Sequence, residues 1–301
     1  HNHRIYGGAT VAGLNERCRG ILKTLEQSYE WAVYRGNSAY VILGDIFDTV
    51  RPSPQIIAAT GKALEGEVPV IILEGNHDQV STQKGDHSLG PLGMSDNVIV
   101  VDEPTVWTSL GDGHQLTLVP HQPGPAKEWL PGVLADLNPP EGSMLCMHLG
   151  LMDDDVPPYM ADVHDAIHYK TVAELGQKYG MRSAVSGNWH RRHFFKHDAV
   201  DVIQCGALVP TGFDNPGIDH YGTVLEWAGG NHCAHIELPG PRFLKFDTIE
   251  AAEKAIVDFA YDTKRITYKY ADDWSLHVRV TVDPSEMSYL RDTAANLVKS
   301  Y

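Results

Sequence analysis

Four short runs in this sequence end in residues that bind hard cations or move protons. Ala39-Tyr40-Val41-Ile42-Leu43 leads into Gly44-Asp45-Ile46-Phe47-Asp48, and Val68 to Leu73 stops at Glu74-Gly75-Asn76-His77-Asp78. Met144-Leu145-Cys146-Met147 ends at His148, and Ser183-Ala184-Val185-Ser186 ends at Gly187-Asn188-Trp189-His190. Runs of this length read as buried strands, and a hydrophobic core has no use for the polar groups that follow them. Carboxylate, amide and imidazole delivered at the ends of several strands describe one site at the edge of a sheet.

The chemistry follows from the donor types. Hard dications take oxygen ligands, and Mn, Fe and Zn also accept imidazole. Asp45 offers a carboxylate able to bridge two ions, Asn76 a carbonyl oxygen, and His148 and His190 ring nitrogens, while Asp48 stands near enough to support them. Two ions about 3.5 to 4 Å apart polarise a phosphoester, lower the pKa of a water and hold both the attacking and the leaving oxygen. His77, next to a ligand, is the candidate general acid for the leaving alkoxide. Asp78 is expected to orient that imidazole and raise its pKa.

The elements that must position these residues are legible around them. Leu14, Cys18, Ile21, Leu22, Leu25, Tyr29 and Val33 recur at helical steps, which predicts a helix over 14–34 ending near Gly36. Ser53 before Pro54 reads as an N-cap with proline at the first helical position, opening a helix that returns the chain to Val68. Strand, helix, strand is a crossover unit, so the first two strands are expected to be parallel neighbours. Asn97 to Asp102, Val106 to Leu110 and Gln115 to Pro120 read as further short strands. Ala199 to Cys205, Tyr221 to Trp227 and Cys233 to Leu238 follow, and Val172 to Tyr179 has a helical pattern. Pro239-Gly240-Pro241 is the best candidate boundary, separating 1–238 from a small strand-helix-strand-helix unit over 239–301.

Composition bounds the class. A chain of 301 residues, 43% hydrophobic and 21% charged, holds a large core, and no apolar run reaches bilayer length, so a cytoplasmic protein with no membrane partner is expected. Cys18, Cys146, Cys205 and Cys233 are scattered without a C-x-x-C pair and read as reduced thiols. A net charge of -15 argues against nucleic acid as a partner, an inference that bound dications weaken by reversing the local field.

Taken in order, G-D-I-F-D, G-N-H-D, the strand-terminal His148 and G-N-W-H at 187–190 resemble the motifs of the calcineurin-like metallophosphoesterase superfamily. The resemblance spans roughly residues 1 to 230. It implies an α/β fold, a four-layer α/β/β/α sandwich with a small C-terminal α+β capping segment, and two divalent ions at the strand ends. Two departures stand out. The superfamily's opening D-x-H is not visible, so its aspartate is expected upstream of His1, with His1 or His3 as the alternative remnant. Asn188 replaces the first histidine of G-H-x-H, as a weaker ligand or as a turn residue. Cys205-Gly206-Ala207-Leu208-Val209-Pro210 and Pro241-Arg242-Phe243 are similar to segments of the SbcD-type nucleases of DNA repair and recombination in bacteria and phages. That closer resemblance implies DNA as substrate, an SMC-like ATPase partner, Mn or Mg as the ion, and a homodimer as an option.

Blander readings stand beside these. Arg191, Arg192 and Lys196 form either a phosphate-holding patch or a solvated loop, and Trp189 either stacks on a base or wedges the loop. Asp153 to Asp155 reads as a solvated loop. His87, His114, His121, His164, His168, His193 and His197 read as surface residues. Rival functions are a small-molecule phosphatase or cyclic-nucleotide phosphodiesterase, and a non-cutting scaffold for an ATPase.

Overall fold

The computed structural model describes residues 10–108, 110, 113–155, 166–195, 197, 200–210, 212–213, 222–228, 233–238, 241–265, 275–281 and 283–300. His1, His3, His164 and Lys196 lie outside them. The described chain opens with a small antiparallel hairpin, β1 (Thr10–Val11) and β2 (Leu14–Asn15). Asn15 then caps helix α1 (Glu16–Arg35), its side chain accepting from the Cys18 N–H at 2.8 Å, and Gly36 closes the helix in the left-handed region at φ 67°. Both ends fall within two residues of those the periodicity predicts.

Strand β3 (Tyr40–Ile42), helix α2 (Pro54–Ala63), strand β4 (Val70–Leu73) and strand β5 (Val98–Val101) form a three-stranded parallel sheet and its crossover helix. Ser53 caps α2 and Pro54 takes its first position, as expected. The apolar face of α1 and of α2 covers one side of this sheet: Leu22, Leu25 and Tyr29 meet Ile56, Leu64, Val70 and Ile72.

A second sheet has six strands. In chain order they are β6 (Thr105–Trp107), β7 (Leu116–Val119), β8 (Met144–Met147), β11 (Ser183–Ser186), β12 (His193–Phe195) and β13 (Asp201–Gln204). Their spatial order is β12-β13-β11-β8-β7-β6, with the four inner strands parallel and both edges antiparallel. Between β8 and β11 lie β9 (Gly150–Met152) and β10 (Ala166–His168), a parallel pair, and helix α4 (Tyr169–Lys178); α3 (Ala126–Leu137) precedes β8.

Alternation along the strands explains how the sheets meet. Ile71 and Leu73 of β4 point away from α2 and join Leu116, Leu118, Met144, Cys146, Val185 and Ile203 between the two sheets. Val119, Leu145, Met147, Ala184 and Val202 face the other way, onto Leu130, Leu134 and Val172 of α3 and α4. Every side chain of β4 and of β7 is therefore buried, which is why these strands read as unbroken apolar runs.

Antiparallel β14 (Gly222–Trp227) and β15 (Cys233–Leu238) follow, and Glu226 accepts from the Arg35 guanidinium of α1 at 3.0 and 3.3 Å. The tail has β16 (Pro241–Phe246) parallel to β17 (Ser275–Val280), with α5 (Ile249–Arg265) between them and α6 (Met287–Ser300) last. Phe243 is buried beneath the Arg17 guanidinium, 4.7 Å from its ring centre, which holds β16 against α1. Pro241 begins a strand, while Pro239 and Gly240 lie outside the described residues. The strand expected over 106–110 is shorter, and edge strand β12 was not anticipated because its H-F-F sequence is exposed on two of three residues.

Candidate active site

After β3 the chain turns through two left-handed residues, Gly44 at φ 91° and Asp45 at φ 54°. The turn brings the Asp45 carboxylate back over the strand end. A β-carbon on Gly44 would lie 2.2 Å from His148 Nδ1, so only glycine lets the imidazole approach. Gly75 has the same function on β4, since a β-carbon there would lie 2.3 Å from both the Asp45 nitrogen and its Oδ1.

Asp78 fastens these two loops. Its Oδ2 accepts from the backbone N–H of Asp45 at 2.8 Å and of Gly75 at 3.0 Å, and its Oδ1 from that of Phe47 at 3.2 Å. The side chain is fully buried, and burial, reinforced by the charge of Asp45, pushes its carboxyl up to about 7. The expected role of Asp78 as orienter of the His77 ring is thus corrected: its oxygens are committed to backbone donors, and its effect is to set where Asp45 and the 75–78 turn stand. The His77 N–H in turn donates to Asp45 Oδ1 at 2.9 Å, while the His77 side chain is exposed.

His148, at the end of β8, is enclosed. Its Nδ1–H donates to the Leu43 carbonyl at 2.5 Å, which turns Nε2 into the site. Nε2 faces Asp45 Oδ1 at 3.5 Å and Asn76 Oδ1 at 3.0 Å. A ring protonated on Nδ1 alone presents a lone pair to these two oxygens, and a cation is the partner that all three can share. An octahedral ion with ligands at about 2.1 Å places neighbouring donor atoms about 3 Å apart, the spacing this trio approaches. Among the described residues no three His, Cys, Asp or Glu side chains make a metal shell on their own; the convergent set here includes an amide. One carboxylate, one amide oxygen and one imidazole, with a second imidazole nearby, suit Mn, Fe, Zn or Mg.

His190 belongs to the same field. Burial lowers its pKa below the ordinary imidazole value, against the opposing pull of Asp45 and Asp48, which places both carboxylates within electrostatic reach of its ring. The loop carrying it is held from behind by Gln204, 1% exposed, whose amide N–H groups donate to the carbonyls of Ser186 and Gly187 and whose Oε1 accepts from the Leu151 N–H. Gly187 passes so close to β3 that a β-carbon would meet the Leu43 carbonyl oxygen at 2.2 Å. Asn188 sits at φ 69°, a conformation asparagine tolerates, which agrees with a turn function. Trp189 packs against Met152 and Ala166, the wedging alternative. Arg191 is exposed, and the Arg192 guanidinium lies 5.5 Å from the Phe194 ring centre.

Two residues escaped the reading of the sequence. His121 is only 7% exposed, not on the surface, and its ring stands edge-on to His148 at 6.3 Å. It follows the apolar run of β7 just as the other site residues follow theirs, so the signal was present. Gln204 is a lone polar residue in an apolar strand, and a buried amide there must be bonded. His87, whose side chain is 8% exposed, is likewise enclosed. The described residues include no helix long and apolar enough to cross a membrane.

Comparison with known proteins gives the family. Two solved structures share a general likeness: GAP50, the anchor in the inner membrane complex of Plasmodium, and phosphopantetheinyl hydrolase (PptH) from Mycobacterium tuberculosis. The first is 12% identical with a TM-score of 0.41, over 64% of this chain and 69% of that one. The second is 15% identical with a TM-score of 0.36, over 61% and 86%. The sequence model described as calcineurin-like phosphoesterase matches residues 2–192, well over half the chain and all four loops of the site. The chain belongs to the calcineurin-like phosphoesterase family, hydrolases that act on phosphoesters with divalent metal ions.

Proposed function

We propose that the chain is a phosphodiesterase that cuts DNA as an exo- or endonuclease, in the manner of the SbcD-type subunits. Asp45, Asn76, His148 and His190 would hold a pair of divalent ions, Mn foremost, with Asn188 in the turn beside them. The observation that carries the metal site is the convergence of His148 Nε2 on Asp45 Oδ1, 3.5 Å away, and on Asn76 Oδ1, 3.0 Å away, with Nδ1–H already spent on Leu43. When bound, such ions neutralise phosphoryl charge and lower the pKa of a water.

The protein's own groups do the rest. Asp45 is held by the His77 N–H and, through its backbone, by Asp78, so its carboxylate arrives already oriented. The His77 imidazole, exposed at the mouth of the site, carries the proton that the leaving oxygen requires. Arg191 and Arg192 follow His190 closely enough to contact phosphates flanking the scissile one. DNA as substrate, an SMC-like ATPase as partner and a homodimer rest on the segments at 205–210 and 241–243. A small-substrate phosphatase or cyclic-nucleotide phosphodiesterase is the second reading, favoured by the net charge of -15.

The test incubates chelator-stripped protein with Mn and offers labelled linear duplex DNA beside bis(p-nitrophenyl) phosphate, with Asp45→Ala and His77→Ala as controls. Mn-dependent cutting of both substrates, lost in both variants, is expected for DNA. Cleavage of the chromogenic diester alone selects the small-substrate reading. Identical behaviour of wild type and both variants would reject catalysis at this site and favour a scaffold.

A further inference from the structure

A cavity of about 320 Å³ opens at the same edge of the sheets as the candidate active site, on the side of β5 and β7. Glu74 from the end of β4, Asp102 from the end of β5 and His121 from the end of β7 line it, with the turn at 79–84 as its outer wall. That wall is pinned: the Val80 N–H donates to the Asp86 carbonyl at 2.9 Å, and the Gly85 N–H to Asp102 Oδ2 at 3.0 Å. The cavity adjoins the candidate metal ligands. Glu74 stands two residues ahead of Asn76, and the His121 ring is edge-on to that of His148 at 6.3 Å.

One group in the lining is unsatisfied. Glu74 is 4% exposed, and its carboxyl has no hydrogen-bond partner among the described residues. The other carboxylates of the cavity are engaged, Asp102 by the Gly85 N–H and Glu103 by Lys84 Nζ. Leu73 pairs with Val101, so the next residues of the two strands, Glu74 and Asp102, come side by side. The charges that bear most on Glu74 are therefore carboxylates too, Asp102 first and then Asp78 and Asp86. A buried carboxylate beside like charge and without a donor is costly, and a donor entering the cavity offsets that cost. A phosphate, which only accepts, does not fit this lining. The His121 imidazole and the rings of Pro104 and Pro123 give the cavity flat surfaces suited to a planar occupant.

We infer that this cavity takes an unpaired guanine base of the substrate, the two Glu74 oxygens accepting from guanine N1–H and N2–H. The inference rests on the nucleic-acid reading above and names a base that reading leaves open. An ionised carboxylate only accepts, so it selects a planar edge with two adjacent donors. Guanine has that edge. Adenine and cytosine set one donor beside an acceptor, and thymine sets its donor between two acceptors, so each of them turns a lone pair toward a Glu74 oxygen. Gln79 and Gln83 in the same lining carry amide donors for guanine O6. The edge is the one a duplex uses for pairing, so the base must come from a single strand or a frayed end. A base and its own phosphate are joined through one sugar, a span that matches a cavity lying beside His148 and Asn76.

The experiment titrates the protein in chelator with deoxyguanosine, deoxyadenosine, deoxycytidine, thymidine and methylguanidine, binding being followed by ligand-observed NMR. It is run near pH 8.5, above the value of about 7 to which burial and Asp102 raise the Glu74 carboxyl. Deoxyguanosine should bind at least about tenfold more tightly than the other three nucleosides. Glu74→Gln sets an N–H where one oxygen stood, so deoxyguanosine should weaken by about tenfold and deoxyadenosine, whose donor and acceptor an amide matches, should become the preferred ligand. A purely structural Glu74 could not reverse a base preference. Equal binding of the four nucleosides, an unchanged ranking in Glu74→Gln, or methylguanidine binding as tightly as deoxyguanosine would each overturn the assignment. Neither metal nor turnover enters this measurement, so its failure is distinct from that of the nuclease reading. Guanine binding by a protein that leaves DNA intact would uphold the pocket and point to guanine mononucleotides, while DNA cutting without guanine binding would reject the pocket alone.

Discussion

Replacing Asp78 by asparagine separates a bracing carboxylate from a catalytic one. Two of the three backbone donors share Oδ2, so an amide oxygen placed there keeps the Asp45 and Gly75 bonds and loses that from Phe47. One orphaned buried N–H costs about 1–3 kcal/mol. Against this stands the removal of a buried charge. The wild-type carboxyl rises from 3.8 to about 7, chiefly through burial, and at about 1.36 kcal/mol per unit that makes roughly 4 kcal/mol once the group is ionised in both states. The sign follows from proton counts. Between about pH 4 and 7 the folded wild type retains a proton that the unfolded chain releases, so its stability falls as pH rises through that window. Asp78→Asn lacks that term. In chelator, urea titrations should find the variant destabilised near pH 4 and level with wild type, or more stable, near pH 8. Asp78→Ala, which orphans all three donors, should be the less stable variant at each pH. Activity toward the chromogenic diester should fall in proportion to loosening of the 45 and 75–78 loops, with the pH profile of kcat unmoved. A shifted alkaline limb in Asp78→Asn, with stability unchanged at every pH, would refute the bracing role and return Asp78 to the His77 imidazole.

Three further outcomes are expected. Gly75→Ala, whose new methyl would press on both the Asp45 nitrogen and Oδ1, should cut kcat by at least about a hundredfold, the scale on which small misplacements act; near-normal turnover would show that Asp45 is not held there for chemistry. Mn at about a hundred times its Kd should stabilise the protein by about 2.7 kcal/mol, and Asp45→Asn or His148→Ala should abolish that gain in a calorimetric scan. Gln204→Leu leaves the Leu151 N–H unpaired and frees the 187–190 loop, so about 1–3 kcal/mol of stability and most Mn affinity should be lost together; loss of stability with Mn affinity intact would make Gln204 a purely structural residue.

Much of the site was legible before any coordinates. A strand buried on both faces is a run of apolar residues that stops abruptly, so the ends of β3, β4, β8 and β11 announced themselves, and Asp45, Asn76 and His148 do converge. The helices around them were equally plain, because Asn15, Gly36, Ser53 and Pro54 act through bonds to neighbours a few positions away. What local pattern cannot contain is which atom faces which. That Asp78 spends its oxygens on the amides of Asp45, Phe47 and Gly75, that Leu43 sets the tautomer of His148, that Gln204 braces a loop from an adjacent strand and that His121 lies inside are all contacts across large sequence separations. They arise only when parallel strands stack their carboxyl ends together. Residue type and spacing therefore determined what chemistry the chain can attempt, while the tertiary structure alone decided which groups carry it and which hold the others in place, because bonds between distant loops have no period to read.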